Sequence, residues 1–235
     1  MKFGPFRLDF SKRDMGNMSY HYGDKKEVKK NRDVWLKSLG VSKFPIIECE
    51  QSHSSKILVI KDKSDLKKQN LYKADACLSS LSHIAFMLKF GDCLPIYIYD
   101  KNKGAFALIH AGRRGLEKSI HLQAISLFQK HFASRKKDLF IYIGPHIKKC
   151  CYLYQSFSDL SNQKWKKYLS PKNGLLSCDL STFVLDTLQS EGLDCRNISL
   201  SKHCTACSGI FYSHYMVQKN KQKEARFAAL AYKVA

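Results

Sequence analysis

Apolar and polar positions along this chain fall into blocks whose period changes from one block to the next. Between Asp24 and Gly40 the apolar residues Val28, Trp35 and Leu39 recur at helical spacing, with Asp24 placed to cap the N-terminus, Glu27 three residues on, and Gly40 as a stop. Short apolar runs follow at residues 44–49, 56–61, 84–90, 94–99, 105–110 and 138–144, each of strand length. Helical spacing returns at Leu116, Ile120, Ala124, Leu127, Phe128 and Phe132, and a further helix is expected over 180–190. Strands outnumber helices in the first half, which predicts an α/β fold with a mixed or mostly antiparallel sheet. With no internal repeat, low-complexity tract or linker, residues 1–235 read as one domain.

Residues 91–112, GDCLPIYIYDKNKGAFALIHAG, are two apolar runs around the turn-rich DKNKG, a hairpin signal. A tight turn pairing Asp100 with Lys103 sets Cys93 opposite His110, and a bulge at Gly104 shifts this by one. Directly opposed residues have Cβ atoms about 4.5–5.5 Å apart, close enough for one Zn²⁺ or for a Cys/His nucleophile and base. His53, in the polar loop EQSHSS, is a third donor candidate, and three N/S ligands with an open position is the composition of a catalytic zinc site. After His110 the chain passes through Ala111 and Gly112 into Arg113, Arg114 and Gly115 at the start of a helix, where guanidinium groups suit an anion. The segment lacks GxxxxGK[ST], so ATP-type phosphoryl transfer is disfavoured.

Composition narrows the function classes. The N-terminus has no apolar signal stretch and no window approaches 18 apolar residues, so a cytoplasmic protein away from membranes is expected. Nine cysteines, an odd number, read as reduced thiols rather than a disulfide framework. The formal charge of +20 would suit a polyanion, but the basic residues are mostly lysines in scattered groups without interleaved aromatics. A solvated lysine-rich surface is the better reading than specific nucleic-acid binding. HCTACSG carries CxxC with no second CxxC or HxxxH beside it, so Cys204 and Cys207 are read as structural. Cys150 and Cys151 are adjacent, a spacing that rarely ligates one metal.

Taken in order, GNMSYHYGDKKEVKKNRDVWL, QSH, ADACLSS, GDCLPIYIYD, HAGRRGL and GPHIKKCCYLY resemble the segments of the YfiH family, also labelled multicopper polyphenol oxidoreductase or laccase-like. The resemblance implies a single-domain, layered α/β sandwich and a zinc site on His53, Cys93 and His110. It also implies purine nucleoside chemistry: phosphorolysis to base and ribose 1-phosphate, deamination of adenosine, or both. Arg13 and Arg114 would then meet phosphate or substrate. Asn17, Gln51 and His146 fall in matching segments as further substrate-binding candidates, and Asp92, next to Cys93, would orient a ligand or carry a proton. The chain departs from the family at Arg113, where Trp is usual, at His146, where Cys is common, and at His214–Tyr215, while Arg226 keeps a later arginine.

The leading expectation is therefore a zinc-dependent purine nucleoside enzyme taking nucleoside and phosphate, as a monomer or homodimer. Its rivals are a copper-dependent polyphenol oxidase, a metal-free Cys/His hydrolase or amidase acting on cell-wall precursors, and a basic nucleic-acid-binding module. A single His/Cys/His set is a poor basis for multicopper chemistry, which needs more imidazoles.

Overall fold

The strand Ala85–Phe90 sorts its side chains by parity, with Ala85 and Met87 in one buried cluster and Phe86, Leu88 and Phe90 in another. A strand that is apolar on both faces must be covered on both, and this explains the layering. The computed structural model describes residues 1–68, 72–156, 163–221 and 223–234. Its strands are β1 (Lys2–Phe3), β2 (Phe6–Phe10), β3 (Ile46–Ile47), β4 (Ile57–Ile60), β5 (Ala76–Ser79), β6 (Ala85–Phe90) and β7 (Leu94–Asp100). They continue with β8 (Ala105–Ala111), β9 (Leu139–Ile143), β10 (Leu153–Tyr154), β11 (Leu169–Lys172), β12 (Leu175–Cys178), β13 (Ile198–Leu200) and β14 (Phe227–Lys233). The α-helices are α1 (Lys25–Ser38), α2 (Arg113–Glu117), α3 (Ile120–Phe132), α4 (Leu180–Ser190) and α5 (His214–Gln218).

Five strands form one sheet in the order β1-β2-β14-β6-β3, six form another in the order β13-β9-β7-β8-β5-β4, and β10-β12-β11 form a small third. The pairs β3/β6, β4/β5 and β9/β13 are parallel and the other ladders antiparallel, so the large sheets are mixed, as expected. Between them lies an apolar core in which the aromatic Phe6, Phe86, Phe90, Tyr97 and Phe106 pack with Leu108. The opposite face of the six-stranded sheet packs Ile96, Ile98 and Ile109 against Ile120 and Phe128 of α3 and Val184 of α4. Trp35 of α1 covers Met87 and Leu230 on the outer face of the five-stranded sheet. The result is a layered α/β sandwich.

Asp24 caps α1 by accepting from the backbone N–H of Lys26 and Glu27, and Gly40 at φ +72° turns the chain after it. On the buried face Arg32 joins Val28 and Trp35; its guanidinium donates to Met18 O and pairs with Glu48 at 2.8 Å. The helix expected from Leu116 to Phe132 is instead two helices, α2 and α3, broken at Ser119, which sits at φ +58°. The helix over 180–190 is α4. β2 and β14 were not expected. β14 reads FAALAYK, alanine-rich and weak in strand propensity, yet it fills the slot between β2 and β6, where pairing on both edges outweighs that preference.

Candidate active site

The β7/β8 hairpin differs in register from the sequence expectation. The Asp100 carboxylate accepts from the backbone N–H of Asn102 at 2.8 Å and Lys103 at 3.1 Å, and Gly104 takes φ +65°. These contacts close a four-residue loop, so Asp100 pairs with Ala105 and His110 with Pro95. A slip of two residues keeps every side chain on its face, because the strand repeat is two. Cys93 therefore lies diagonal to His110 on the same face, next to Gly112. A Cβ on Gly112 would come 2.7 Å from Cys93 Sγ and 2.9 Å from His53 Cδ2, so glycine is required here by contact rather than by φ.

His110 shares the parity of Phe106 and Leu108 and so projects from the end of β8 into the gap between the sheets, with its ring 5.3 Å from Phe90. His53 follows β3 in a loop, at φ +56°. That loop is held by Asp75, fully buried just before β5. Its carboxylate accepts from the N–H of Ser52 at 3.2 Å, His53 at 3.0 Å and Ser54 at 2.6 Å, and from Ser54 Oγ at 2.7 Å. His110 Nδ1 lies 2.8 Å from the same group. A carboxylate can only accept, so Nδ1 carries the proton and Nε2 is left as a ligand atom.

The donor atoms of His53, Cys93 and His110 all lie within 4.8 Å of one another, and Cys93 Sγ is 3.6 Å from His53 Nε2. Bonds of about 2.3 Å to sulfur and 2.0–2.1 Å to nitrogen at tetrahedral angles put S and N about 3.6 Å apart, so the set fits one Zn²⁺-sized ion. Burial works against the Cys93 thiolate, but His110 and His53 beside it lower its pKa to about 6. Burial also opposes the His110 imidazolium, and Cys93 and Asp75 outweigh it, raising its pKa to about 9. The metal-free site is thus a thiolate–imidazolium pair near neutral pH.

These three residues line a cavity of about 430 Å³ whose walls include Tyr22, Tyr152, Tyr215, Arg113, Arg114 and Arg226. Arg113 pairs with Glu117 at 2.7 Å and Arg226 with Glu224. Arg114 is exposed and, among the described residues, has no ion-pair partner.

Residues 9–232 match the family model described as multi-copper polyphenol oxidoreductase laccase. The chain belongs to this laccase-like family. Among relatives, the purine nucleoside phosphorylase of Borreliella burgdorferi is 34% identical over 158 residues, covering 65% of this chain and 67% of that protein. The purine nucleoside phosphorylase YlmD of Geobacillus stearothermophilus is 30% identical over 218 residues, covering 84% of this chain and 77% of that protein. The crystal structure of the latter protein aligns with a TM-score of 0.85 at 24% identity, covering 99% of this chain and 93% of that one. A Bacillus licheniformis structure of YfiH aligns with a TM-score of 0.83 at 20% identity, covering 99% and 100%. The laccase-like fold is therefore shared over essentially the whole chain.

Within this laccase-like scaffold the other sequence-level candidates separate. Asp92 is at the cavity, but both its oxygens are engaged: Oδ1 accepts from Thr205 Oγ1 at 2.6 Å and Oδ2 from Tyr215 N–H at 2.7 Å. Gln51 also lines the cavity, with its amide bonded to both backbone groups of Lys89, at 2.7 and 2.8 Å. His146 does not reach the cavity. It is buried between Gly144 O and Ser181 Oγ, each at 2.7 Å, and burial lowers its pKa to about 4. Arg13 is exposed and outside the cavity lining. Asn17 ties the N-terminal loop down, its Oδ1 accepting from the N–H of Ser19 and Arg226 at 3.0 Å each. The arginine that does reach the cavity from this side is Arg226, stacked 4.5 Å over the Tyr22 ring. The helix opened by Arg113 and Arg114 is five residues long, so any anion there would be held by guanidinium more than by a helix dipole.

Asp75 was missed by sequence reasoning. Its only signal was its place inside ADACLSS, one of the segments carrying the family resemblance.

Proposed function

We propose that this chain is a zinc-dependent purine nucleoside enzyme, converting nucleoside and phosphate to free base and ribose 1-phosphate, or adenosine and water to inosine and ammonia. The convergence of His53, Cys93 and His110 on the wall of an arginine-lined cavity carries this reading. The names of the relatives support the phosphorolytic branch. Two imidazoles, one thiolate and an open position are a zinc-type donor set, and bound Zn²⁺ there would supply Lewis-acid polarisation of a substrate or water oxygen.

The chain's own residues then divide the work. Asp75 holds His110 in one tautomer and orients the His53 loop, and Asp92 positions the cavity wall through Thr205 and Tyr215 rather than exchanging a proton. Arg114 is the cation available to a phosphate, since Arg113, Arg226 and Lys89 are each paired with a glutamate. Tyr22, Tyr152 and Tyr215 offer aromatic surface for a purine, in place of the tryptophan that Arg113 replaces.

Purified protein is assayed for bound metal, and adenosine and inosine are followed by chromatography with and without phosphate. Phosphate-dependent release of adenine or hypoxanthine, or conversion of adenosine to inosine, is expected, and it should vanish in Cys93→Ala. No product above that control would refute the nucleoside reading.

A second reading is favoured by the lowered Cys93 pKa: a metal-free hydrolase with the Cys93 thiolate as nucleophile and the His110 imidazolium as its ion-pair partner and proton donor to the leaving group. It requires activity to survive chelation and Cys93 to be labelled covalently by substrate. Copper oxidation of phenols is disfavoured, because among the described residues the second group of potential metal ligands is entirely cysteine and adds no imidazole.

A further inference from the structure

Cysteines that look unrelated in sequence meet at one point on the surface. The Sγ atoms of Cys150, Cys151, Cys204 and Cys207 all lie within 4.8 Å of one another, and Cys150 and Cys207 are 3.8 Å apart. Four thiolates at about 2.3 Å from a tetrahedral Zn²⁺ stand about 3.8 Å from each other. A disulfide needs about 2.05 Å between sulfurs, and all nine cysteines are free thiols in the structure. The thiolates of an iron–sulfur cluster are spread by its bridging sulfides, so this close grouping suits a single ion.

The backbone around the cluster folds two turns toward one point. Cys204-Thr205-Ala206-Cys207-Ser208-Gly209 is a turn in which Ser208 N–H donates to Cys204 O at 3.1 Å and Gly209 takes φ +69°. The backbone N–H of Lys148 donates to Cys204 Sγ at 3.4 Å, tying the two turns together. Opposite it, Cys150 and Cys151 lie in a second turn, closed by the N–H groups of Cys151 and Tyr152 on Lys148 O at 2.9 Å each. That bend is what lets two adjacent cysteines present sulfur to one point. The Lys172 ammonium donates to Cys150 O and the Lys148 ammonium to Ser201 O, each at 2.7 Å, which fixes the two turns.

We propose that Cys150, Cys151, Cys204 and Cys207 form a second, closed zinc site of structural type, separate from the His53/Cys93/His110 set. It clips the turn after β9 to the segment leading into α5. Both segments border the cavity: Ile147 and Tyr152 line it from one side, and Thr205 holds Asp92 from the other. The site leaves no open coordination position, so its role is to hold that wall rather than to react. The inference stands whether or not the nucleoside reading does.

The test is metal stoichiometry on the full chain, purified in reducing buffer. Wild type is expected to carry two zinc ions per chain, Cys204→Ser one, and Cys93→Ser one, with Cys204→Ser also melting at a lower temperature than Cys93→Ser. If Cys204→Ser fails to fold, wild type alone decides. Cobalt reconstitution should give the intense thiolate charge-transfer absorption of a four-sulfur tetrahedral site. Alkylation mapped by mass spectrometry should leave these four cysteines unmodified until a chelator is added. Unchanged zinc content in Cys204→Ser, ready alkylation of all four thiols in zinc-loaded wild type, or a disulfide among them would overturn the proposal.

Discussion

Asp75 carries the most consequential set of contacts in the candidate active site, five hydrogen bonds from Ser52, His53, Ser54 and His110 onto one buried carboxylate. Burial works against its charge, yet His110 and Ser54 hold its pKa well below the usual carboxylate range. Outer carboxylates of this kind orient ligating imidazoles and raise their basicity. Asp75→Asn is expected to keep the fold while weakening zinc affinity at this site about 10–100-fold, read by competition with a chromophoric chelator. An affinity within twofold of wild type would show that Asp75 only packs. The three donors were legible in the sequence because Cys and His are uncommon and chemically marked. Asp75 was not, since an aspartate between two alanines has no marker until the ends of the neighbouring strands β4, β5 and β8 come together around it.

At the scale of the element, the hairpin shows how a wrong register can still place the right residues. Tight-turn pairing predicted Cys93 directly opposite His110, whereas Asp100 and Gly104 set a loop two residues longer. The period of two conserved the face, so the convergence survived. The neighbour of Cys93 became Gly112, and this makes a sharp test possible. Gly112 has ordinary backbone angles, φ −79° and ψ 171°, so Gly112→Ala introduces no backbone strain. Its methyl group would instead press on Cys93 Sγ and the His53 ring. Loss of metal at that site with a near-native circular dichroism spectrum is the expected outcome, and full metal content in this variant would contradict the packing described. The break at Ser119 was not legible for a related reason: apolar residues at 116, 120 and 124 keep helical spacing across a kink that only packing on β8 reveals.

The whole molecule is strongly basic, with a formal charge of +20, and this bears on stability under acid more than on fold. His121 is fully buried in α3, its Nε2 2.8 Å from Thr187 Oγ1, and burial lowers its pKa to about 4. Unfolding lets it regain an ordinary value near 6.5, so between those two values the unfolded chain binds the extra proton. Stability should therefore fall as pH drops from about 6.5 to about 4, by about 3 kcal/mol for this group alone. Urea titrations at pH 7 and pH 4.5 are expected to show a clearly smaller acid loss in His121→Gln than in wild type. An equal loss in both would mean that His121 is protonated in the folded state. Among the described residues no helix is long and apolar enough to cross a membrane.

Periodicity and local chemistry were enough for part of the architecture and of the site. They placed the capped helix α1, the helix α4, the paired strands β7 and β8, the mixed α/β class, and the three chemically marked residues His53, Cys93 and His110. Each depends on spacing within a few residues or on side-chain type, and neither needs the chain to be folded. The remaining features arise from contacts between segments distant in the chain. Those contacts made alanine-rich β14 a central strand, sent His146 into the interior, put Arg226 rather than Arg13 at the cavity, and set Asp75 behind His110. They also drew Cys150 and Cys151 to Cys204 and Cys207 across more than fifty positions of chain. Those outcomes come from which segments meet, and meeting is settled by burial of the two sheets against each other and against their helices, a sum over the whole chain that no local pattern records.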